Sequence, residues 1–471
     1  MTGFSRHPST LPPAAYETIG NATLIVENDE GPVLATDVWY EEDPAYFGSW
    51  VLSHHVPQAQ RQKIGRAPYL YISHFHPDHL NLASLRHHRG QKIILAQHYG
   101  SRVATDLRKA GFTVLCLPSR RWIELAAGVR IMLFHNELQD SALLVELSHG
   151  DQKTLLVNLN DSGGYGFGYE VKAIARRYSN SVLLALHGYG DADMINFWDE
   201  QGQFIEPFAA RKLPVGPQMR QSMDIFGCTL AIPFSSFHQY QRRDSWWANR
   251  YTTPEADYSL GFEADASHQL LPPFQRVELL ADDPGGPGWR AHSLQPPPLQ
   301  VAEPIPEQRF GDDWTTPLQP GDLEACQDYF AAVPQLAANY GRIQLQVAGS
   351  THTVTLSDAA PAISFALPRR SLMRSVRHCV FDDLLIGNFM RTTLHGSSSL
   401  YQPDFNLLVA KYSDNALVRD SAQLKDMFGY YKRNRSWSDR LSLALRRPKA
   451  ALFDAIPSGL VQAARSLYHR L

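Results

Sequence analysis

The stretch that decides the fold is YLYISHFHPDHLN, residues 69–81. An apolar run, typical of a buried strand, is followed at once by a turn that concentrates nitrogen and oxygen ligands: His74, His76, Asp78 and His79. Because side chains alternate along a strand, His74 and His76 project to the same side where the strand ends. The turn therefore predicts a metal site that begins to form before any long-range folding.

Three later apolar runs each end in a polar residue that is able to bind a metal. VRIMLF precedes His135, TLLVNLN precedes Asp161, and SVLLAL precedes His187. A metal needs more ligands than one turn supplies, so these residues are candidates for the remaining positions. Taken singly, Asp161 is also explained as a helix cap and His187 as a hydrogen-bonded buried imidazole.

The order of elements around the turn predicts an α/β fold built in layers. KIILAQ reads as a strand, SRVATDLRKAGF as a helix that ends near a glycine, and TVLCLP as the next strand. Strands and helices that alternate in this way pack as helices against sheets.

The composition changes after residue 270 and predicts a division into domains. Of the 31 prolines, eleven lie between residues 271 and 320, a density typical of a linker or a wrapping arm. We therefore predict a catalytic domain over 1–270, a proline-rich linker over 271–320, and an α+β domain over 321–471. In the last, GRIQLQVAGSTHTVTLSD indicates a hairpin, and the C-terminus indicates an amphipathic helical tail.

Charge and cysteine content exclude several classes of protein. The net charge of −3 lacks the basic excess of a nucleic-acid binder. The four cysteines are scattered, without the CxxC or CxH spacing of a zinc knuckle or a cysteine-ligated iron–sulfur cluster. No run of about 18 apolar residues predicts a membrane span, and the N-terminus lacks a signal-peptide core. We expect a cytoplasmic protein.

The order and placement of these ligands resemble the metallo-β-lactamase superfamily, whose fold is an αββα sandwich with the metal site at one edge of two packed sheets. The resemblance covers roughly residues 15 to 270. It implies a first metal held by His74, His76 and His135. It implies a second metal held by Asp78, His79 and His187, with Asp161 bridging the two. Asp37, in LATDVWY, matches the aspartate that supports the histidine turn from behind in this superfamily.

Longer segments resemble the metallo-β-lactamase portion of the CMP-N-acetylneuraminic acid hydroxylases. They include ATDVWYEEDPAYFGSWVLSHHVP, GYGDADMINF and AIPFSSFHQYQRRDSWWANRYTTPEADY. Those hydroxylases carry a Rieske iron–sulfur module, whereas this chain has no paired CxH and CxxH. An oxidative reaction would therefore take its electrons from a separate electron-transfer protein.

Three functions are compatible with this pattern. Two divalent ions bridged by a carboxylate and a water generate hydroxide at neutral pH, so a hydrolase of ester, amide or phosphate substrates is the expectation from the commonest use of the scaffold. The alternative is an iron-dependent oxygenase, and the third is a binding scaffold without activity. Zinc is the metal expected most often on this scaffold, but histidine and carboxylate also suit iron and manganese.

Candidates for catalysis and substrate binding are Asp78 and the segment FHQYQRRDSWW. In that segment, His238 is a catalytic candidate, and Tyr240, Arg242 and Arg243 are candidates for binding a small, anionic substrate. Guanidinium groups bind carboxylates and phosphates through two parallel hydrogen bonds. The same segment is also explained by a helix with charged and aromatic faces packed on the sandwich. The sequence leaves the oligomeric state open, including a homo-oligomer.

Overall fold

A computed structural model describes residues 12–190, 195–281, 283, 285–358, 362–396 and 405–441. The strands of the described residues, in chain order, are β1 (Ala15–Ile19), β2 (Thr23–Asn28), β3 (Gly31–Thr36), β4 (Trp50–Leu52), β5 (Tyr69–Tyr71), β6 (Lys92–Ala96), β7 (Thr113–Leu117), β8 (Ile123–Ala126), β9 (Val129–His135), β10 (Ser141–His149), β11 (Gln152–Asn160), β12 (Asn180–Leu186), β13 (Phe197–Trp198), β14 (Leu230–Phe234), β15 (His238–Tyr240), β16 (Gln269–Leu270), β17 (Gln275–Leu279), β18 (Trp289–Ser293), β19 (Arg342–Val347), β20 (Ser350–Thr355), β21 (Ala362–Ala366) and β22 (Arg391–Leu394).

The α-helices of the same residues are α1 (Gln58–Arg66), α2 (Leu82–Leu85), α3 (Arg102–Lys109), α4 (Gly168–Ala175), α5 (Gly216–Phe226), α6 (Asp322–Ala331), α7 (Leu336–Asn339), α8 (Arg369–His378), α9 (Asp382–Ile386) and α10 (Ser421–Arg433). A π-helix spans Leu407–Asn415. Short 3₁₀ turns span Tyr46–Gly48, Arg86–His88, Phe208–Arg211, Trp246–Tyr251, Glu255–Ser259 and Glu307–Phe310.

Two large sheets pack face to face. The first has the strand order β18-β17-β1-β2-β3-β5-β6-β7, and the second has the order β16-β14-β12-β11-β10-β9-β8. Alternate residues of their strands meet in one buried core, because successive side chains of a strand point to opposite faces. The first sheet supplies Leu24, Val26, Leu34, Tyr71 and Ile94, and the second supplies Ile131, Leu133, Leu143, Val145 and Leu156.

The other face of each sheet is covered by helices. In the first sheet, Ile25 and Ile93 lie in a second buried cluster with Ile64 of α1 and Leu107 of α3. In the second sheet, Leu144, Leu155 and Leu183 lie in the same cluster as Val171 of α4 and Met219 of α5. Both faces of the central strands are therefore apolar, which explains why the runs around residues 143 and 155 lack polar alternation. The predicted αββα sandwich is confirmed.

The proline-rich segment contributes directly to the sandwich. Within 271–320, strand β17 pairs antiparallel with β1, and β18 pairs antiparallel with β17. Proline is tolerated near edge strands and turns, so the many prolines do not prevent pairing at the end of the sheet. These residues are thus more than a linker. The division at 270 and 320 stays a prediction.

The C-terminal residues build a smaller α+β unit on a separate core. Its sheet has the order β13-β22-β21-β19-β20, and the expected hairpin is the antiparallel pair β19–β20. Side chains of the sheet, such as Phe365, pack against residues from α6, α8 and α10, such as Phe330, Leu372 and Met427. Strand β13 comes from residues 197–198, so the first half of the chain also contributes to this sheet.

Among the described residues, none of the helices combines the length and apolar composition that crossing a bilayer requires. The predicted amphipathic tail lies almost entirely in residues 442–471, outside the described part of the chain.

Candidate metal centre

The predicted ligands meet at one edge of the sandwich. Strands β3, β5 and β6 are parallel neighbours, so Asp37 after β3 and the histidine turn after β5 lie at the same edge. Strand β11 of the second sheet ends opposite them, and Asp161 follows it. The Ser141 hydroxyl lies 2.8 Å from the Tyr71 hydroxyl and donates to the Ser73 carbonyl at 2.6 Å, which ties the two sheets together at this edge.

Within the cluster, the donor atoms face one another in two pairs. His74 Nε2 lies 2.9 Å from His76 Nδ1, and His79 Nε2 lies 3.2 Å from Asp78 Oδ2. Asp161 Oδ2 stands between the pairs, 3.7 Å from His74 Nε2 and 3.5 Å from His79 Nε2. Ligand atoms bound to a common cation at about 2.1 Å stand about 3 Å apart. The atoms of His74, His79 and Asp161 therefore have a spacing that suits a bound cation.

Hydrogen bonds to the far ring nitrogens hold the first two imidazoles. His74 Nδ1 lies 2.9 Å from the Ser73 hydroxyl. His76 Nε2 donates to Asp382 Oδ2 at 2.9 Å, a contact between the sandwich and helix α9. Metal-binding histidines commonly donate their other ring nitrogen to a carboxylate or an oxygen, which orients the ring and selects the tautomer. Both rings thus present a lone pair to the centre of the cluster.

Asp37 lies beneath the turn and is fully buried. Its Oδ1 accepts the Ser73 amide at 2.8 Å, and its Oδ2 lies 3.4 Å from His79 Nδ1. Asn160 also donates to Oδ2 at 2.6 Å. The carboxylate therefore fixes both the backbone of the turn and the ring of His79, which is the position that the sequence predicts for it.

The two aspartates of the cluster are held in the same way. Tyr46 donates its hydroxyl to Asp78 Oδ1, and Asn21 donates to Asp78 Oδ2 at 2.9 Å. Ser235 donates to Asp161 Oδ1 at 2.9 Å and leaves Oδ2 directed at the histidines. Each carboxylate is thus fixed before a cation binds, which lowers the cost of ordering the site.

The charge of the cluster fits a cation. Burial opposes a charge on His79, but the carboxylates of Asp78 and Asp161 outweigh burial and raise the pKa of His79 well above its usual value. A protonated imidazole is then the positive charge that balances these acids. His79 Nε2 is fully buried and makes no hydrogen bond within the described residues. A divalent cation at this place would satisfy the nitrogen and replace the proton.

Asp140 lies near the cluster, and the sequence reasoning missed it. It directly precedes β10, and its pKa is raised by burial against the charges of Lys411 and His76, with Asp161 adding to the rise. The ligands predicted from the sequence all follow a strand, whereas Asp140 precedes one. Because β10 is antiparallel to β9 and β11, its first residue lies at the edge where those two strands end.

His135 does not join the cluster. It pairs with Ser141 across β9 and β10, and β9 lies two strands from β11, a lateral distance of about 10 Å. Its ring instead packs 5.5 Å from the ring of His98 and 5.2 Å from that of Tyr431. Burial, and then the charge of Arg120, lower the pKa of His135 to about 4. The structure thus does not bring His135 to the other predicted ligands.

His187 also lies away from the cluster. It has the same strand parity as Leu183 and Ala185, whose side chains pack in the layer of the outer helices. Its Nδ1 donates to the Ala185 carbonyl at 3.0 Å, and its Nε2 lies 3.0 Å from the Ser222 hydroxyl on α5. The alternative of a hydrogen-bonded buried imidazole describes His187 in this structure, which does not bring it to the other predicted ligands.

His238 lies beside the cluster. Its ring stacks on Trp50 with centroids 3.4 Å apart, and neither of its buried nitrogens makes a hydrogen bond within the described residues. Burial lowers its pKa to about 3, although the negative charges of Asp78 and Asp161 oppose the change. The catalytic role of His238, a neutral imidazole near two of the acids, stays a prediction.

The three predicted substrate-binding residues have structural partners instead. Arg242 is fully buried, and its guanidinium bridges Asp244 at 2.8 Å and Asp312 at 2.7 Å. Arg243 pairs with Glu307 at 2.7 Å. Tyr240 is buried, and its hydroxyl accepts a hydrogen bond from Asn388. Both arginines are already paired with acids, so the contacts of this segment fit the packing alternative, and anion binding by it stays a prediction.

Comparisons with known proteins add partial matches. No family model matches the chain. A Mycobacterium tuberculosis (strain H37Rv) protein named "Putative Rieske 2Fe-2S iron-sulfur protein" is 25% identical over 245 residues, 46% of this chain and 42% of that protein. A protein of the same name from Mycolicibacterium smegmatis is 31% identical over 97 residues, 20% of this chain and 18% of its own length. The matches thus span less than half of these relatives.

Solved structures with a similar fold include enzymes with different reactions. The diiron β-hydroxylase CmlA of Streptomyces venezuelae covers 55% of this chain and 49% of its own, with 14% identity and a TM-score of 0.32. The isothiocyanate hydrolase from Delia radicum gut bacteria covers 56% and 98%, with 12% identity and a TM-score of 0.35. At this level of similarity, neither likeness bears on the reaction of this chain.

The fold assignment rests on the molecule itself. Helices cover both outer faces of two packed sheets, and the HxHxDH turn lies at one edge opposite Asp161. This is the architecture that the resemblance predicts for residues 15 to 270. The described residues therefore build the αββα sandwich of the metallo-β-lactamase fold.

Proposed function

We propose that the chain is an oxygenase with a dinuclear iron site that receives its electrons from a separate protein. The observation that carries this proposal is the presence of Asp140, where the resemblance implied a histidine. His74, His76 and Asp140 then form a set of two imidazoles and one carboxylate. That set is characteristic of non-haem iron sites that activate dioxygen.

The remaining donors supply the second position. Asp78 and His79 lie together on the far side of Asp161, whose Oδ2 faces both pairs. The whole set is three imidazoles and three carboxylates, and carboxylates shared between metals are the ligands of di-iron proteins. Bound iron would supply dioxygen activation and one-electron chemistry at this edge of the sandwich.

The chain's own residues orient the donors and limit access of water. Asp382 keeps the proton of His76 on Nε2, so that Nδ1 presents its lone pair to the cluster. Asp78 and His79 are fully enclosed, with side chains 4% and 0% exposed, whereas the Asp161 side chain is 16% exposed. A substrate would therefore reach the cluster at Asp161.

The proposed oxygenase needs a one-electron donor that the cysteines of these 471 residues do not supply. The mycobacterial relatives carry the name of a Rieske iron–sulfur protein, whereas this chain has four scattered cysteines without CxH or CxxH spacing. If the reaction is oxidative, a Rieske-type or similar one-electron donor on another chain would supply what this chain lacks.

The experiment that tests this function is metal analysis followed by a redox challenge. The full chain is expressed without added metal and purified without chelator, and a double variant, His76→Ala with Asp78→Ala, serves as the metal-free control. We expect about two iron ions per chain, and an absorbance that responds to dithionite and then to oxygen. Zinc that does not respond to reductant would contradict the oxygenase. Protein without bound metal would contradict both enzymatic functions and favour the binding scaffold.

A hydrolase is the second candidate. The central place of Asp161 Oδ2, within 3.7 Å of ligand atoms from both pairs, also suits two zinc ions with a bridging hydroxide. Zinc-loaded protein with activity on simple esters, amides or phosphodiesters, abolished in the double variant, would favour this candidate over the oxygenase.

A further inference from the structure

A buried lysine of the C-terminal unit reaches the metal cluster. Lys411 lies in the middle of the π-helix Leu407–Asn415, a rare conformation that is often found at functional sites. Its Nζ is 3.2 Å from Asp140 Oδ1, and its side chain is only 14% exposed. The ammonium thus leaves its own unit and lies against the edge of the sandwich.

The surroundings of this ammonium are acidic. Asp140 Oδ1 accepts a hydrogen bond from its Nζ at 3.2 Å, and the carboxylates of Asp382 and Asp161 also act on its charge. Asp382 already accepts a hydrogen bond from His76, so Asp140 is the direct partner of the lysine.

Binding of two cations would change this balance. The three aspartates of the proposed ligand set, Asp78, Asp140 and Asp161, carry a charge of −3, and two divalent ions carry +4. A carboxylate of Asp140 that binds a metal is no longer a full partner for Lys411. The ammonium would then keep only part of the negative charge that now surrounds it, so an anion beside it would be favoured.

The side chains of the cluster that solvent can reach include the lysine. Among the clustered side chains, Asp161 and Lys411 are 16% and 14% exposed, whereas those of His74 and His79 are 3% and 0% exposed. A molecule that enters at Asp161 therefore meets the ammonium beside the metal-binding atoms.

We propose that Lys411 forms an anion-binding subsite beside the metal pair and that the substrate carries a carboxylate or phosphate group there. The proposal rests on the proposed function, because it requires the metals to be bound. It assigns to Lys411 the role that the sequence suggested for Arg242 and Arg243, which are already paired within the fold.

The test uses the full chain loaded with cobalt(II), whose visible absorbance reports on ligands near a His and carboxylate site. Acetate and inorganic phosphate are titrated separately into the wild type, Lys411→Met, Lys411→Gln and Lys411→Arg. Lys425→Met, a change of an exposed lysine on α10, is the matched control. We expect anion binding to weaken roughly tenfold or more in the two neutral variants, the value of one charge-assisted hydrogen bond. The Arg and Lys425 variants should stay near the wild type.

The outcomes separate this proposal from the proposed function. Equal anion affinity in the wild type and in cobalt-loaded neutral variants would overturn the subsite and leave the metal centre intact. Loss of cobalt from both neutral variants would assign Lys411 to holding Asp140 and would also overturn the subsite. Failure of the wild type to bind cobalt would overturn the proposed function itself. The tighter of the two anions distinguishes a carboxylate substrate from a phosphate substrate.

Discussion

At the scale of single residues, the centre depends on side chains whose far atoms are already bound. His74, His76 and His79 each have a partner behind the ring, and Asp78 and Asp161 each accept a hydrogen bond on the oxygen that faces away from the neighbouring donors. Such partners restrict each ring or carboxylate to one orientation, so the cluster is ordered without a bound ion.

Asp140 is the residue that would give the proposed first metal position a carboxylate in place of a third histidine. We expect Asp140→Ala to reduce the metal content from about two ions per chain to about one, because the first metal then loses its carboxylate ligand while His79 and Asp78 remain. Elemental analysis with calorimetric titration of iron(II) measures this. Asp151→Ala, which changes an exposed aspartate in the turn after β10, is the control, and equal metal content in the two variants would contradict the assignment.

Asp382 acts on the centre through His76 as a positioning residue. We expect Asp382→Ala to weaken metal binding by about 10–100-fold, since the imidazole loses the acceptor that fixes its tautomer. Asp328→Ala, on the exposed face of α6, should bind metal as the wild type does. An unchanged metal affinity in Asp382→Ala, measured by competition with a chromophoric chelator, would remove Asp382 from the centre.

Sequence reasoning reached the residues that lie in one local pattern and missed those that depend on tertiary structure. The histidine turn and Asp161 follow from strand ends. Asp140 precedes its strand instead, and its position at the same edge follows only from the antiparallel pairing of β10. Lys411 and Asp382 come from segments about 300 residues away, where no local pattern points to the site.

At the scale of elements, the loop after β6 and the π-helix form a close contact between the two halves of the chain. Gly100 has a φ of +78°, and a Cβ at this position would lie 2.3 Å from the Ala416 carbonyl oxygen. Arg102 next to it donates to the carbonyls of Cys379 and Asp414. The contact thus holds the C-terminal unit beside the metal centre.

Gly100→Ala tests this contact. We expect it to lower the free energy of unfolding by about 2 kcal/mol or more, because the new methyl group meets backbone and the positive φ disfavours alanine. Hydrogen exchange should also rise over residues 407–416. Gly90→Ala has open space around its new methyl group and should change neither quantity beyond about 0.5 kcal/mol. Equal stability of the two variants would show that the contact is loose.

Asp414, at the end of the π-helix, makes the free energy of unfolding depend on pH. Burial raises its pKa to about 7, although its Oδ2 accepts hydrogen bonds from the Tyr329 hydroxyl and the Phe381 amide. A carboxyl whose pKa is raised by folding binds more protons in the folded state. Its presence therefore costs stability progressively as the pH rises from about 4 to about 7, and the cost is constant above that.

Asp414→Asn removes this titration and keeps an oxygen for the same two donors. We expect the variant to have a higher free energy of unfolding than the wild type. This difference should be on the order of 2 kcal/mol larger at pH 8 than at pH 5. Urea denaturation at several pH values measures the difference. Parallel profiles for the two proteins would mean that Asp414 titrates as it does in the unfolded chain.

The strands and helices of the sandwich could be predicted from the sequence. The boundary between the sandwich and the C-terminal unit was harder to predict. Long apolar runs predict β10 and β11 because both faces of these strands are buried. The proline-rich segment looked like a linker, yet β17 and β18 extend the first sheet. Pairing of a short edge strand depends on a partner far away in sequence, here β1, and no local composition reveals it.

At the scale of the whole molecule, the sandwich supplies the ligands and the C-terminal unit closes over them. Asp382 from α9 and Lys411 from the π-helix contact His76 and Asp140 at the edge of the sandwich. Tyr431 of α10 also lies against this edge, where its hydroxyl bonds His98 and Gln139. The predicted centre therefore lies between the two units, as ligand sites often do.

The most direct test of a shared dinuclear centre is the Mössbauer spectrum of the full chain loaded with ⁵⁷Fe, recorded after oxidation and with the iron counted in the same sample. We predict two irons per chain that are magnetically coupled, because Asp161 faces both His74 and His79. A single iron per chain, or two irons without coupling, would contradict it.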